Sequence, residues 1–72
     1  GRGRIDLGAL ASRLQRAGEV TANRFLVRAA LAGEHGDQGS SIELTVFADG
    51  RAIVSGTTRE DRARSIVARY VG

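Results

Sequence analysis

The side chains that could perform acid–base or nucleophilic chemistry in this 72-residue chain do not form the pattern of a catalytic site. General acid–base catalysis needs titratable groups that converge in a pocket. Three of the acids, Asp6, Asp49 and Asp61, instead occupy positions typical of helix caps and turns. Glu43 falls on the polar face of a predicted strand, and no serine has an obvious histidine and acid partner. We therefore expect no catalytic residue in this chain.

Metal and cofactor sites are not indicated either. The chain has no cysteine, and its single histidine, His35, lies among glycines in the segment AGEHGDQGSS at residues 32–41. A phosphate-binding loop would end in Lys-Ser or Lys-Thr and open a helix, whereas these serines lead into a predicted strand. The segment is more typical of a mobile hairpin loop. We expect this chain to bind neither a metal nor a cofactor.

Arginine supplies every basic side chain, and eleven arginines against eight acids give a formal net charge of +3. Three of them, Arg59, Arg62 and Arg69, lie near one another on the wheel of the predicted last helix, away from its apolar stripe. One interpretation is a solvated face that Glu60 and Asp61 partly neutralise. The other is a basic strip that docks an acidic protein partner. We take these three arginines as candidate protein-docking residues.

The excess of arginines over acids leaves a second class of function open, that of a small nucleic-acid-binding α/β module. The excess of positive charge is small for such a module, and no aromatic platform interleaves with the basic residues. We therefore expect a protein partner and treat nucleic acid as the alternative.

No apolar run approaches the ~20 residues that cross a bilayer, so the sequence favours a cytoplasmic protein without a membrane partner.

Two amphipathic helices are predicted at the two ends of the chain. Asp6 is a candidate N-cap for the first helix, which would end before Gly18. Thr58 is the candidate N-cap of the last helix, with Asp61 three residues later in a near capping box. Each helix has one apolar stripe with i, i+3, i+4, i+7 spacing. The stripes are Leu7, Leu10, Ala11 and Leu14 in the first helix, and Ala63, Ile66, Val67 and Tyr70 in the last.

Three strands are predicted between the helices. Residues 19–31 read as one extended segment with a bulge or brief break at Asn23-Arg24. The second strand, at residues 42–47, is followed by Asp49-Gly50, a strong signal for a two-residue type I′ hairpin turn. Such a turn would place Val46 opposite Ile53 in the third strand.

The predicted fold is α+β, a small two-layer sandwich in the order α-β-β-β-α. Both helices would pack on one face of a three-stranded antiparallel sheet, because each must bury its stripe against a flat surface. The other face of the sheet would be wholly or partly bare. We expect residues 1–4 to be a disordered lead-in or linker remnant and residues 5–72 to form a single domain.

Several short motifs resemble the extreme C-terminus of ThiF/MoeB/HesA-type adenylyltransferases, the bacterial relatives of ubiquitin-activating enzymes. The main ones are the hairpin DGRAIVSGT, which begins at Asp49, and the final helix, which closes on ARYVG. The motifs GEV at residues 18–20 and NRFL at residues 23–26 resemble the same region. The resemblance extends over most of the chain.

The resemblance implies an accessory domain of a larger enzyme. Such enzymes activate the C-terminal glycine of a ubiquitin-like sulfur carrier as an acyl adenylate, for thiamine or molybdopterin synthesis. The glycine-rich loop, lysine and acids that hold ATP and magnesium in the catalytic domain have no counterpart here, so no catalytic residue carries over. The chain would then be a non-catalytic C-terminal domain that docks the carrier or packs on its own catalytic domain, and a homodimer is a further option.

Overall fold

The chain folds in the order α-β-β-β-β-α in a computed structural model that describes residues 5–71. The predicted lead-in at residues 1–4 lies outside the described residues, as does Gly72. A short 3-10 turn at Asp37–Gly39 joins the second and third strands. The elements are α1 (Leu7–Leu14), β1 (Gly18–Ala22), β2 (Leu26–His35), β3 (Ser41–Phe47), β4 (Ala52–Ser55) and α2 (Glu60–Tyr70).

The sheet has four antiparallel strands in the order β1-β2-β3-β4, so the prediction of a three-stranded sheet in the order α-β-β-β-α is wrong. The predicted bulge at Asn23-Arg24 is instead a chain reversal. The Asn23 side-chain oxygen accepts hydrogen bonds from the backbone N–H groups of Phe25 (2.7 Å) and Leu26 (3.0 Å). An asparagine that bonds to the backbone beyond it closes a tight turn, which pairs β1 with β2. The α+β class is unchanged.

The turn between β3 and β4 has three residues rather than the predicted two. The Phe47 carbonyl accepts from the Gly50 N–H at 2.9 Å, and the Phe47 N–H donates to the Arg51 carbonyl at 2.8 Å. Gly50 has φ 99°, whereas Asp49 is not among the residues with positive φ. A type I′ turn needs positive φ at both central residues, so that prediction is wrong, and a three-residue turn with a left-handed glycine replaces it.

The extra turn residue shifts the pairing of β3 with β4 by one position. Val46 lies opposite Ala52, and Thr45 lies opposite Ile53, so the predicted pairing of Val46 with Ile53 is wrong. A slip of one residue moves every side chain of a strand to the other face of the sheet. Ile53 therefore leaves the core and is 51% exposed on the opposite face.

The core lies between one face of the sheet and both helices. α1 contributes Leu10 and Leu14 to it, and α2 contributes Ile66. Alternate residues of the two central strands supply the rest, as expected when one face of a strand is dry. These strand residues are Val27, Ala29, Leu31, Ile42, Leu44 and Val46. The opposite face of the sheet carries no helix of the described chain.

Residues 32–41 do not form one long loop. β2 continues to His35, and β3 begins at Ser41. The connection between them is anchored by hydrogen bonds from the Gly36 N–H to the Ser40 carbonyl (2.7 Å) and from the Asp37 N–H to the Gly56 carbonyl (2.9 Å). The predicted hairpin loop is therefore too long, because β2 and β3 take up both ends of residues 32–41.

Candidate docking site

The predicted docking helix, α2, is joined to the sheet through one buried carboxylate, Glu34, which is 7% exposed. Arg62 Nη2 donates to Glu34 Oε1 at 2.8 Å, and Arg69 Nη1 donates to Oε2 at 2.6 Å. The Tyr70 hydroxyl donates to the same Oε2 at 2.8 Å. We call Glu34, Arg62, Arg69 and Tyr70 the Glu34 cluster.

An irregularity in β2 turns Glu34 toward the core side. Leu31 pairs with Ile42, but His35 already pairs with Ser41, so β2 carries extra residues over this interval. Simple alternation from the buried Leu31 would bury Gly33 and expose Glu34, whereas the structure does the reverse. A bulge redirects side chains in this way and is common where a strand reaches a site.

The pKa of Glu34 lies below its ordinary value because its neighbours favour the charged form. The hydrogen bond from Tyr70 lowers this pKa the most; burial acts in the opposite direction, and the charges of Arg69 and Arg62 lower the pKa further. The same hydrogen bond, helped by burial, raises the pKa of the Tyr70 phenol. The cluster therefore holds an ionised carboxylate between two cations and a neutral phenol at neutral pH.

The three predicted docking arginines fall into two groups. Arg62 and Arg69 meet at Glu34, with 39% and 62% of their side chains exposed. Arg59 lies apart and pairs with Asp61 at 2.9 Å, where both side chains are largely exposed. An exposed ion pair contributes little to stability, so Arg59 is held only weakly. The guanidinium groups of Arg62 and Arg69 are thus engaged with Glu34, although both side chains are partly exposed.

Sequence reasoning missed Glu34 because it assigned residues 32–41 to a loop. One signal was present in the sequence: Tyr70 ends the apolar stripe of α2, and a partly buried tyrosine hydroxyl usually has a hydrogen-bond partner. An acid close to that tyrosine would also pair with the two arginines beside the stripe. Which of the eight acids supplies it depends on the bulge, and the strand pattern does not indicate a bulge there.

The start of α2 is held by a second carboxylate, Asp37, in the 3-10 turn. Its oxygens accept from the Thr58 N–H (2.9 Å), the Thr58 hydroxyl (2.8 Å) and the Thr57 hydroxyl (2.9 Å). The backbone bond from Thr58, followed by the two hydroxyl bonds, lowers the pKa of Asp37. Thr58 is thus not the N-cap; Arg59 occupies that position without a side-chain cap bond, and the predicted near capping box is wrong.

The predicted turn residues Asp49 and Gly50 have a structural role. Asp49 Oδ1 accepts from the Arg51 N–H at 3.0 Å, and Oδ2 pairs with Arg51 Nε at 2.9 Å. The backbone bond from Arg51 is the main reason that the pKa of Asp49 is lowered. The predicted cap Asp6 is confirmed, since its Oδ1 accepts from the Ala9 N–H at 3.1 Å at the start of α1.

A shallow groove of about 480 Å³ lies between β4 and α2. Its lining is mostly small and apolar, with one acid and one arginine from α2. The lining residues are Ala52, Val54, Glu60, Ala63, Arg64, Val67 and Ala68.

Within residues 5–71, no three side chains of metal-binding type come together. Neither of the two helices in that range is long and apolar enough to cross a membrane.

The chain is similar to one region of a much longer protein. It is 37% identical over 68 residues to the sulfur carrier protein ThiS adenylyltransferase of Bacillus subtilis (strain 168). The match covers 93% of this chain but only 18% of that relative, in its C-terminal part. No family model matches the chain, and no solved structure matches it significantly. The expected resemblance to the C-terminal region of ThiF-type adenylyltransferases is confirmed.

Proposed function

Since the chain is related over nearly its whole length to the C-terminal part of a ThiF-type adenylyltransferase, we propose that it is the accessory domain of such an enzyme. The parent polypeptide would activate the C-terminus of a ubiquitin-like sulfur carrier with ATP and Mg²⁺, in thiamine or molybdopterin synthesis. Both ligands would bind upstream of this domain. The single observation that carries the proposal is a match that extends over 93% of this chain.

The domain contributes binding rather than chemistry. Two of its acids, Glu34 and Asp37, each accept at least three hydrogen bonds from their own chain, so their oxygens are engaged in holding α2. The Arg59 side chain at the start of α2 is largely exposed, and those of Arg62 and Arg69 are partly exposed. This basic face suits an acidic protein surface, and we assign it to the carrier protein.

A titration of the isotope-labelled chain with its cognate carrier tests this docking role. We expect amide shifts that concentrate on α2 and weaken with added salt, because exposed charge contacts are screened. Arg59→Glu is the preferred variant, since the Arg59 side chain pairs with Asp61 and its charge can be reversed without removing a hydrogen bond to Glu34. Arg16→Glu, at an exposed position after α1, is the matched control for net charge. Unchanged amide signals at millimolar carrier would refute the docking role.

The alternative, a nucleic-acid-binding module, is favoured only by the arginine content. Binding of a labelled oligonucleotide at physiological salt would show an affinity whose logarithm falls linearly with the logarithm of salt concentration. We expect no such binding. If it occurs and Arg59→Glu leaves it unchanged while the carrier produces no shifts, the nucleic-acid function replaces the docking role.

A further inference from the structure

β4 is an edge of the sheet, and within residues 5–71 no other strand pairs with its outer side. Edge strands of soluble proteins usually carry charged side chains, proline or bulges, since their unpaired backbone groups can bind another chain. β4 has the sequence AIVS, with no charge and no proline, so only its short length protects it. β1, at the opposite edge, carries Glu19. β4 is therefore the edge at which a further strand can add.

Two residues of β4 direct their backbone groups outward. The Phe47 N–H donates to the Arg51 carbonyl, so Arg51 directs its backbone toward β3. Along an antiparallel strand this direction alternates from one residue to the next. Ala52 and Val54 therefore each direct an N–H and a carbonyl to the free edge of β4. A strand added there finds four hydrogen-bonding groups.

The groove of about 480 Å³ lies along this free edge. Ala52 and Val54 of β4 form one wall, and α2 forms the other with mostly small apolar side chains. At 3.6 residues per turn, the α2 residues that line the groove lie on the opposite flank of the helix from Arg62 and Arg69. Those two arginines bind Glu34 on the inner strand β2, so the groove flank of α2 faces outward past β4.

The two charged residues of the groove have opposite signs. Glu60 and Arg64 are exposed one turn apart on α2, and neither forms an ion pair within the described chain. A two-fold axis brings the same surface of two subunits together, so that residue i of each copy meets residue j of the other. A surface with one acid and one base can therefore satisfy both charges by pairing with itself.

We propose that the β4 edge and the groove bind a second copy of this chain, with the two β4 strands antiparallel. The pairing that uses all four outward backbone groups sets Ala52 opposite Val54 of the second copy. It also sets Ile53 opposite Ile53 of the second copy, so that a side chain 51% exposed in the single chain gains an apolar neighbour. Two four-stranded sheets then join into one continuous sheet.

Such a dimer continues the layers of the single chain. Two helices cover four strands, so each helix spans the width of about two strands. Strands lie about 4.8 Å apart, which places the two copies of α2 about 10 Å apart, close to the distance at which helices pack. The small side chains of Ala63 and Ala68 suit this approach. The antiparallel helices bring Glu60 of each copy toward Arg64 of the other.

An extended peptide from another protein fits this surface less well. It could pair with the backbone of β4, but it would leave α2 without a neighbouring helix and would not itself supply the partners of Glu60 and Arg64. A second copy satisfies the strand edge, the groove and both charges in one contact. The dimer uses no adenylyltransferase chemistry, so it would form whether or not the proposed function holds.

Disulfide trapping in the complete gene product tests the proposal. Ile53→Cys places two thiols at the two-fold axis, where the Cα separation of a non-hydrogen-bonded antiparallel pair lies within the range that a disulfide spans. Thr21→Cys, exposed on the same face at the β1 edge, is the matched control. We expect mild oxidation to link two chains through position 53 and not through position 21. Mass spectrometry of the linked peptides identifies the position.

Charge reversal gives an independent readout in the Ile53→Cys chain. Glu60→Arg and Arg64→Glu should each lower the yield of linked dimer by about tenfold or more, because like charges then meet at two places. An equal mixture of the two variants restores opposite charges at both places and should recover the link. Arg16→Glu, at an exposed position after α1, is the control for net charge and should leave the yield unchanged. Circular dichroism confirms that each variant is folded.

The outcomes separate the dimer from the proposed function. A folded protein without the link at position 53, an equal yield from Thr21→Cys, or a mixture that recovers no link would overturn the dimer. Links from position 53 only to another protein would also overturn it. ATP–pyrophosphate exchange by the same preparations reports on the proposed function: exchange without the link refutes only the dimer, and the link without exchange supports the dimer alone.

Discussion

Glu34 shows how far single residues can be interpreted from the sequence alone. Asp6 was identifiable as a helix cap because its role depends on neighbours within one turn. Glu34 was not identifiable, because its partners Arg62, Arg69 and Tyr70 are 28 to 36 residues away along the chain. A bulge in β2 brings them together. The helical spacing placed Arg62 and Arg69 near each other on α2, but it did not identify the acid that they share.

Glu34→Gln is expected to lower the free energy of unfolding by about 1–3 kcal/mol, because it leaves two guanidinium groups and a phenol with one neutral acceptor in place of a carboxylate. Arg62 and Arg69 are partly exposed and recover some hydration, so a larger loss is not expected. Urea denaturation measures the change. Glu43→Gln, at an exposed position of β3, is the control and should stay within about 0.5 kcal/mol of the original chain. Equal stability of the two variants would contradict the assigned role.

The pH dependence of this effect has a definite sign. The pKa of Glu34 is lowered from its ordinary value of 4.5, so the folded state binds the proton less tightly than the unfolded state does. The contribution of the carboxylate is therefore fully present above pH 4.5 and is lost as pH falls through the lower folded pKa. The stability difference between the original chain and Glu34→Gln should be constant from about pH 5 to 7 and shrink below that range. A difference that grows on acidification would be inconsistent with the lowered pKa.

At the scale of elements, the spacing of apolar residues predicted the helices and the buried face of the strands correctly. The turns were predicted wrongly, and with them the number of strands and one strand register. The apolar stripes of α1 and α2 predicted both helices, and the alternation in β2 and β3 predicted the buried face. The strand count was wrong because one asparagine turned a predicted bulge into a reversal. The β3–β4 register was wrong because Asp-Gly also occurs in three-residue turns, and a difference of one residue moved Ile53 out of the core.

The start of β3 closely approaches Gly56, the residue after β4, and this contact can be tested. Gly56 has φ 104°, and a Cβ there would lie 2.1 Å from the Ser41 carbonyl oxygen. Gly56→Ala must therefore displace backbone, and we expect a loss of stability above about 2 kcal/mol. Gly33→Ala is the control: a Cβ at Gly33 meets nothing within 4 Å, so its effect should be near zero or slightly stabilising. Thermal unfolding compares the two, and similar midpoints would argue against the described approach of β3 to Gly56.

At the scale of the whole molecule, the two faces of the sheet have different neighbours. One face is covered by α1 and α2 over a small aliphatic core, and the other exposes Ile53 of β4. A domain of this size buries a modest share of its surface, so a contact on the bare face would add stability as well as position. The bare face was predicted from the sequence because two helices suffice for only one side. The exposure of Ile53 on that face was not predicted, since it depends on the β3–β4 register.

The central claim is that this domain serves an enzyme that adenylates a sulfur carrier and whose chemistry lies upstream of the domain. ATP–pyrophosphate exchange by the complete gene product, with and without the cognate carrier, tests that claim most directly. The account predicts exchange that requires the carrier and Mg²⁺. A folded protein that shows no exchange at any carrier concentration would contradict it. So would a maximal exchange rate that disappears on substitution of His35 in this chain while the protein remains folded.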